Sequence, residues 1–145
     1  MGLVVVAVEC LDILRATGLA PIVESALVRW FDPERLSQDP ALAQRLRAMM
    51  AATSLDGYVG GVSALLDYDL HAVINALRLP LLFLAGERDG TAPEVLGGLA
   101  ATIPQARFRS VPAAGHISCI DGAPTFTAAL TTFLDSLTDT DGANT

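Results

Sequence analysis

Two residues of this chain have the types and the setting of an acid–base pair. Asp89 follows the apolar stretch "LLFLAGER", and His116 follows "RFRSVPAAG". A carboxylate that accepts a hydrogen bond from one imidazole nitrogen fixes the tautomer of the ring. The other nitrogen can then take a proton from a nucleophile. Each residue also has a plainer reading. Asp89-Gly90 is a good turn dipeptide, and a lone His beside a Gly loop more often has a structural or solvated role. Together, at the ends of two successive apolar stretches, they favour the pair. Cys119 lies three residues after His116, a spacing that one helical turn could close. A small buried thiol is the better reading of it. A zinc site would have to gather His116, Cys119, Cys10 and His71 without any close Cys-x-x-Cys pair. The residues therefore nominate no nucleophile and no metal.

Strands must hold these two groups. "LPLLFLAG", residues 79–86, reads as a buried strand, and "ARFRSVP" as a second. Between them, "TAPEVLGGLAATI" reads as a short helix opening at Pro93. After His116, "APTFTAALTTFLDSL" reads as a helix with Phe126, Leu130, Phe133, Leu134 and Leu137 on one face. At the start of the chain, Leu3 to Val8 is a continuous apolar run of strand length, suited to a sheet buried on both faces. The intervening region is helical. Ile22, Val23, Ala26, Leu27, Trp30 and Phe31 recur at helical spacing behind Pro21. Asp39 and Pro40 read as N-cap and first residue of a helix whose apolar face is Leu42, Leu46, Met49 and Met50. Ser54 or Asp56 caps the next helix, and "HAVINAL" is a short one. The order is one strand, about four helices, then strand, helix, strand, helix. Such alternation implies parallel pairing.

Composition narrows the function classes. The 145 residues include 16 acidic and 9 basic ones, for a net charge of −7, and every basic residue is Arg. An acidic chain without a cationic run is a poor nucleic-acid binder and a poor ligand for anionic membrane surfaces. No apolar run reaches the ~18 residues of a membrane span. "MGLVVVAVEC" has no basic segment ahead of its apolar run, so it reads as a strand and not as a signal peptide. Two distant cysteines, Cys10 and Cys119, read as free buried thiols in a reducing cytoplasm.

From about Cys10 to Leu134 the chain resembles the C-terminal half of an α/β-hydrolase, and in particular the 3-oxoadipate enol-lactonases. "GLAPIVESALVRWF" resembles their first lid helices, and "MMAATSLDGYVGGVSALLDYDL" a later lid motif. "LPLLFLAGERDGTAPE" resembles the strand and loop of the triad acid, which matches Asp89. "IPQARFRSVPAAGHISCIDGAPTFTAAL" resembles the strand, loop and helix of the triad base, which matches His116. Asp followed by His is the second and third step of that fold's Ser…Asp…His order. The nucleophile elbow Gly-x-Ser-x-Gly is absent; Gly61-Val62-Ser63-Ala64-Leu65 comes nearest and lacks the last Gly.

The resemblance implies a partial α/β-hydrolase fold, with about three parallel strands and a helical lid inserted after the first. Residues 1–9 would be a core strand, 10–78 the lid, 79–137 the C-terminal part of the core and 138–145 a disordered tail. It implies ester or lactone hydrolysis, with Asp89 and His116 catalytic and no cofactor. An enol-lactone acid carries a carboxylate, so Arg29 is the candidate to bind that group, with a surface Arg as the equal alternative; Trp30 would wall the pocket, and Tyr58 would line it or, the slightly favoured reading, pack the lid. The expected partner is a small ester or lactone. The chain alone, truncated relative to the family, is expected to be inactive and to self-associate through an unpaired sheet edge. The alternative is a non-catalytic small-molecule-binding or interaction protein derived from a hydrolase lid.

Overall fold

A computed structural model describes residues 14, 16–66 and 69–141. Leu3 to Val8 and Cys10, and the expectations attached to them, lie outside the described residues. The elements follow in chain order: α1 (Ala20–Trp30), α2 (Pro33–Gln38), α3 (Pro40–Ala51), α4 (Leu55–Leu66), α5 (His71–Ala76), β1 (Leu81–Gly86), α6 (Ala92–Thr102), β2 (Ala106–Val111), α7 (Ser118–Asp121) and α8 (Ala123–Asp141). The chain forms two compact units. One runs up to Arg29 and resumes over Pro33–Ile74; the other joins Trp30–Asp32 to the residues from Asn75 onward.

The first unit is helical. Ile22, Val23, Ala26 and Leu27 form the buried stripe of α1, spaced as a 3.6-residue period demands. Leu14 and Ile22 form a small core against which Leu19, Leu55, Tyr58, Val59 and Val62 pack. Asp39 caps α3 as its sequence suggests: its Oδ1 accepts the Leu42 N–H at 2.9 Å, and Pro40 occupies the first turn. Ser54 caps α4 by accepting the Gly57 N–H at 3.1 Å. Leu42 and Leu46 are buried on α3, whereas Met49 is 64% exposed and does not belong to the apolar face. Arg47 grips the Glu24 carboxylate with both Nε and Nη2.

The second unit contains the sheet. β1 and β2 pair in parallel, Leu81 opposite Ala106 through Gly86 opposite Val111. Side chains alternate across a strand, and the two faces of β2 meet different helices. The Phe108 ring lies where a β-carbon on Gly97 of α6 would touch it at 3.5 Å. Arg107, one residue earlier, bonds Ser136 of α8 at 3.0 Å and sits 5.7 Å over the Phe133 ring. The result is a helix–sheet–helix sandwich with Ala85, Ala100, Ile103, Val111 and Ala114 buried inside. Among the described residues the sheet has these two strands, against an expected three, the third being Leu3 to Val8.

Residues 75–78 belong with the sheet-containing unit, where the Gln105 side chain donates to the Leu77 carbonyl. The stretch expected to be disordered from 138 is helical to Asp141, with the Thr138 hydroxyl donating to the Asp135 carbonyl at 2.8 Å. Leu130 and Leu134 of α8 are 37% and 51% exposed, so the apolar face of that helix is only partly covered.

The sheet end is closed by an approach that only glycine allows. A β-carbon on Gly86 would stand 2.0 Å from the Gly115 carbonyl oxygen and 2.4 Å from that of Ala114. These are backbone atoms, which no rotamer change can move aside. Gly86→Ala is expected to lower stability by about 3 kcal/mol, the upper end of overpacking costs. Gly97→Ala, whose added methyl meets only ordinary van der Waals distances, should raise it by about 0.5–1 kcal/mol through helix propensity. Denaturant midpoints of the two variants check both signs. In the helical unit, the Leu42 N–H and then the Arg35 guanidinium hold the Asp39 carboxyl below its usual range. That stabilisation is complete above the ordinary Asp value of about 3.9 and is lost as pH falls through the lower folded value. The melting-temperature gap between wild type and Asp39→Ala should therefore be open at neutral pH and narrow as the pH falls below the ordinary carboxylate range.

Candidate functional site

The turn after β1 presents Asp89. Its N–H donates to the Gly86 carbonyl at 3.1 Å and its carbonyl accepts from Ala92 at 2.9 Å, while Gly90 takes the left-handed conformation at φ 52°. The turn reading of Asp89-Gly90 is thus correct, and it is also what aims the carboxylate. The loop after β2 presents His116. Beyond the last paired strand residues, Glu87 N–H donates to the Val111 carbonyl and Arg88 N–H to that of Ala114, both at 2.9 Å. The two loops are therefore laced together by main-chain hydrogen bonds before either side chain is considered. Ala113 in this loop adopts φ 57°, a conformation that costs a residue with a β-carbon roughly 1–2 kcal/mol. The Glu87 carboxylate accepts its N–H at 3.0 Å and so helps to hold it there.

Asp89 Oδ2 lies 2.9 Å from His116 Nδ1. A carboxylate can only accept, so Nδ1 donates and Nε2 is left as the nitrogen that can receive a proton. The Asp89 side chain is 21% exposed and that of His116 53%. The acid is sheltered and the base is open, as proton abstraction from an incoming group requires. The Trp30 ring stands 6.1 Å from the His116 ring, tilted by 33°. Trp30 belongs to the same compact unit as the pair and not to the helical unit in which the sequence seemed to place it.

The other expected contact residues sit in the helical unit. Arg29 is exposed in the last turn of α1, and Tyr58 packs against the Leu14–Ile22 core. Ser63 lies inside α4, not at a strand-to-helix elbow. Cys119 is exposed on α7, contrary to the buried thiol expected of it. Among the described residues no group of His, Cys, Asp and Glu is arranged to hold a metal, and no helix is long and apolar enough to cross a membrane.

Sequence reasoning missed the supports of the pair. Asp121 Oδ2 accepts the Gly115 N–H and the Asp32 N–H, each at 2.9 Å. Ile117 N–H donates to the Trp30 carbonyl at 3.1 Å. The buried Asp32 carboxylate pairs with Arg88, the neighbour of Asp89. The signal was present in the spacing of "GHISCID", but a carboxylate near a helix start has many ordinary uses.

No family profile matches the chain. Among curated proteins, 3-oxoadipate enol-lactonase 2 of Acinetobacter baylyi is 27% identical over 119 residues, covering 82% of this chain and 45% of that protein. Enol-lactonase 1 of the same organism is 27% identical over 126 residues, covering 87% and 47%. Among solved structures, a hydrolase from Pseudomonas aeruginosa superposes with a TM-score of 0.80 at 31% identity, covering 90% of this chain and 50% of that one. The enol-lactonase from Burkholderia xenovorans superposes at 0.83 with 27% identity, covering 88% and 49%. The chain thus spans about half the length of the curated relatives it matches. By this likeness of sequence and fold the chain has the C-terminal half of the α/β-hydrolase fold and is similar to the 3-oxoadipate enol-lactonases.

Proposed function

We propose that Asp89 and His116 are the acid and base of a site that hydrolyses a small ester or lactone. The observation that carries this reading is the 2.9 Å contact between Asp89 Oδ2 and His116 Nδ1 at the ends of two paired parallel strands. His116 Nε2 takes the proton of an attacking hydroxyl. Asp89 keeps the ring in register and stabilises the imidazolium that forms. Backbone N–H groups hold the charge that develops on the carbonyl oxygen. The hydroxyl is a serine in the Gly-x-Ser-x-Gly setting of this fold, and the 145 residues contain no such motif.

The proposed substrate is an enol-lactone acid, after the names of the relatives. Trp30 is the proposed pocket wall, its ring standing beside that of His116. The proposed pathway is the breakdown of aromatic compounds by way of 3-oxoadipate, as the resemblance to the enol-lactonases implies. A cytoplasmic location is proposed on cysteine usage alone. The lack of a nucleophile motif favours a second reading, a non-catalytic protein that binds a lactone or interacts with another chain through its helical unit. Calorimetric titration with a lactone acid, giving binding without turnover that survives His116→Ala, would support it.

Two outcomes follow. A chimera of the first half of the Acinetobacter enol-lactonase followed by this chain should hydrolyse the enol-lactone. It should lose about 10³–10⁴-fold in kcat on His116→Ala or Asp89→Ala, the scale of removing a triad member. The unfused chain should show no turnover of an activated ester above background. A folded chimera that is inactive, or whose activity ignores both substitutions, defeats the reading. Separately, β1 and β2 each have one edge with no strand partner among the described residues, and Leu79 beside β1 is 64% exposed. We propose that the chain self-associates through such an edge. Light scattering should find oligomers, and a dispersed monomer with a sharp melt would refute this.

A further inference from the structure

We infer that Asp121 is a positioning residue that sets the His116 imidazole against Asp89, an inference that rests on the acid–base reading of that pair. One oxygen of Asp121 accepts two main-chain N–H groups at 2.9 Å, from Gly115 and from Asp32. Gly115 immediately precedes His116, so this bond fixes the backbone from which the imidazole projects. Asp32 lies two residues beyond Trp30, whose ring stands beside that imidazole. A single carboxylate therefore holds the base and its aromatic neighbour together.

Two further observations support a built arrangement. A β-carbon on Gly115 would stand 2.7 Å from the Trp30 carbonyl oxygen and 3.2 Å from Asp121 Oδ2, so the segments meet too closely for any other residue. The far end of the linkage reaches the acid: the Asp32 side chain, 6% exposed, pairs with Arg88, and Arg88 is bonded through its own N–H to Ala114 in the base loop. The connection runs from the base loop through Asp121 and the Trp30–Asp32 segment to the residue beside Asp89. Hydrogen bonds from N–H to an ionised carboxylate are shorter and stronger than neutral ones. A charge that accepts from two segments at once can hold a loop which has no regular secondary structure of its own. Catalytic geometry is kept by such supports and degrades when they are removed.

The test reads the imidazole directly. In wild type, nitrogen-15 shifts of His116 should report the Nδ1–H tautomer, with a downfield proton bonded to Asp89; His116→Ala assigns the signals. Asp121→Ala should fold but lose that proton to exchange and show mixed tautomers. Asp121→Asn, which keeps an oxygen able to accept both N–H groups, should restore the wild-type pattern. Asp121→Ser, too short to reach both donors, should behave as the alanine variant and serves if that one does not fold. A wild-type pattern in folded Asp121→Ala or Asp121→Ser overturns the inference, as does its loss in Asp121→Asn. Because no substrate is involved, inactivity towards esters or lactones leaves this measurement unaffected, so the two ideas fail separately.

Discussion

The site depends on one steric constraint, the absence of a side chain at residue 86. There the main chain of Ala114 and Gly115 lies across the end of β1 at a separation that leaves no room for a methyl group. Parallel pairing alone brings two strand ends side by side, but it does not say where the following loops go. The contact at Gly86 does. It folds the loop after β2 back over the turn after β1, and the main-chain bonds from Glu87 and Arg88 fasten it there. The hydrogen bond between acid and base is the outcome of that fastening more than its cause, since an exposed pair contributes little by itself.

Much of this was legible in the residues. The two strands, the helix between them and the last helix announce themselves by apolar runs of the right length and by Pro and Gly at their borders. Asp39-Pro40 states where α3 begins, and the structure puts the cap there. Asp89 and His116 were legible because their types and their places after strands coincide. Periodicity was less informative about burial. Met49, Leu130 and Leu134 fit the apolar stripes of their helices yet remain exposed, since a stripe shows which side faces a core and not how far that core extends. Thr and Asp in the last turns suggested a frayed end, yet α8 runs on to Asp141, and the Thr138 hydroxyl bonds back to the Asp135 carbonyl.

The supports of the site were not legible, for a physical reason. Asp121, Asp32 and Arg88 act through contacts between segments that are remote in sequence, and 89 positions separate Asp32 from Asp121. No local pattern encodes such a pairing. The same holds for the Trp30–Asp32 segment. It continues a helix of one unit, and yet its hydrogen bonds and its ring contact are made within the other. Sequence assigns a residue to the element it extends; packing assigns it to the element it touches.

The position of Trp30 gives the protein a built-in optical reporter. It is the one tryptophan in the chain, so all indole emission originates beside the His116 ring. A cationic imidazole quenches a neighbouring excited indole more effectively than a neutral one. Intrinsic fluorescence will therefore follow the charge of the base without a label, a dye or any chemical turnover.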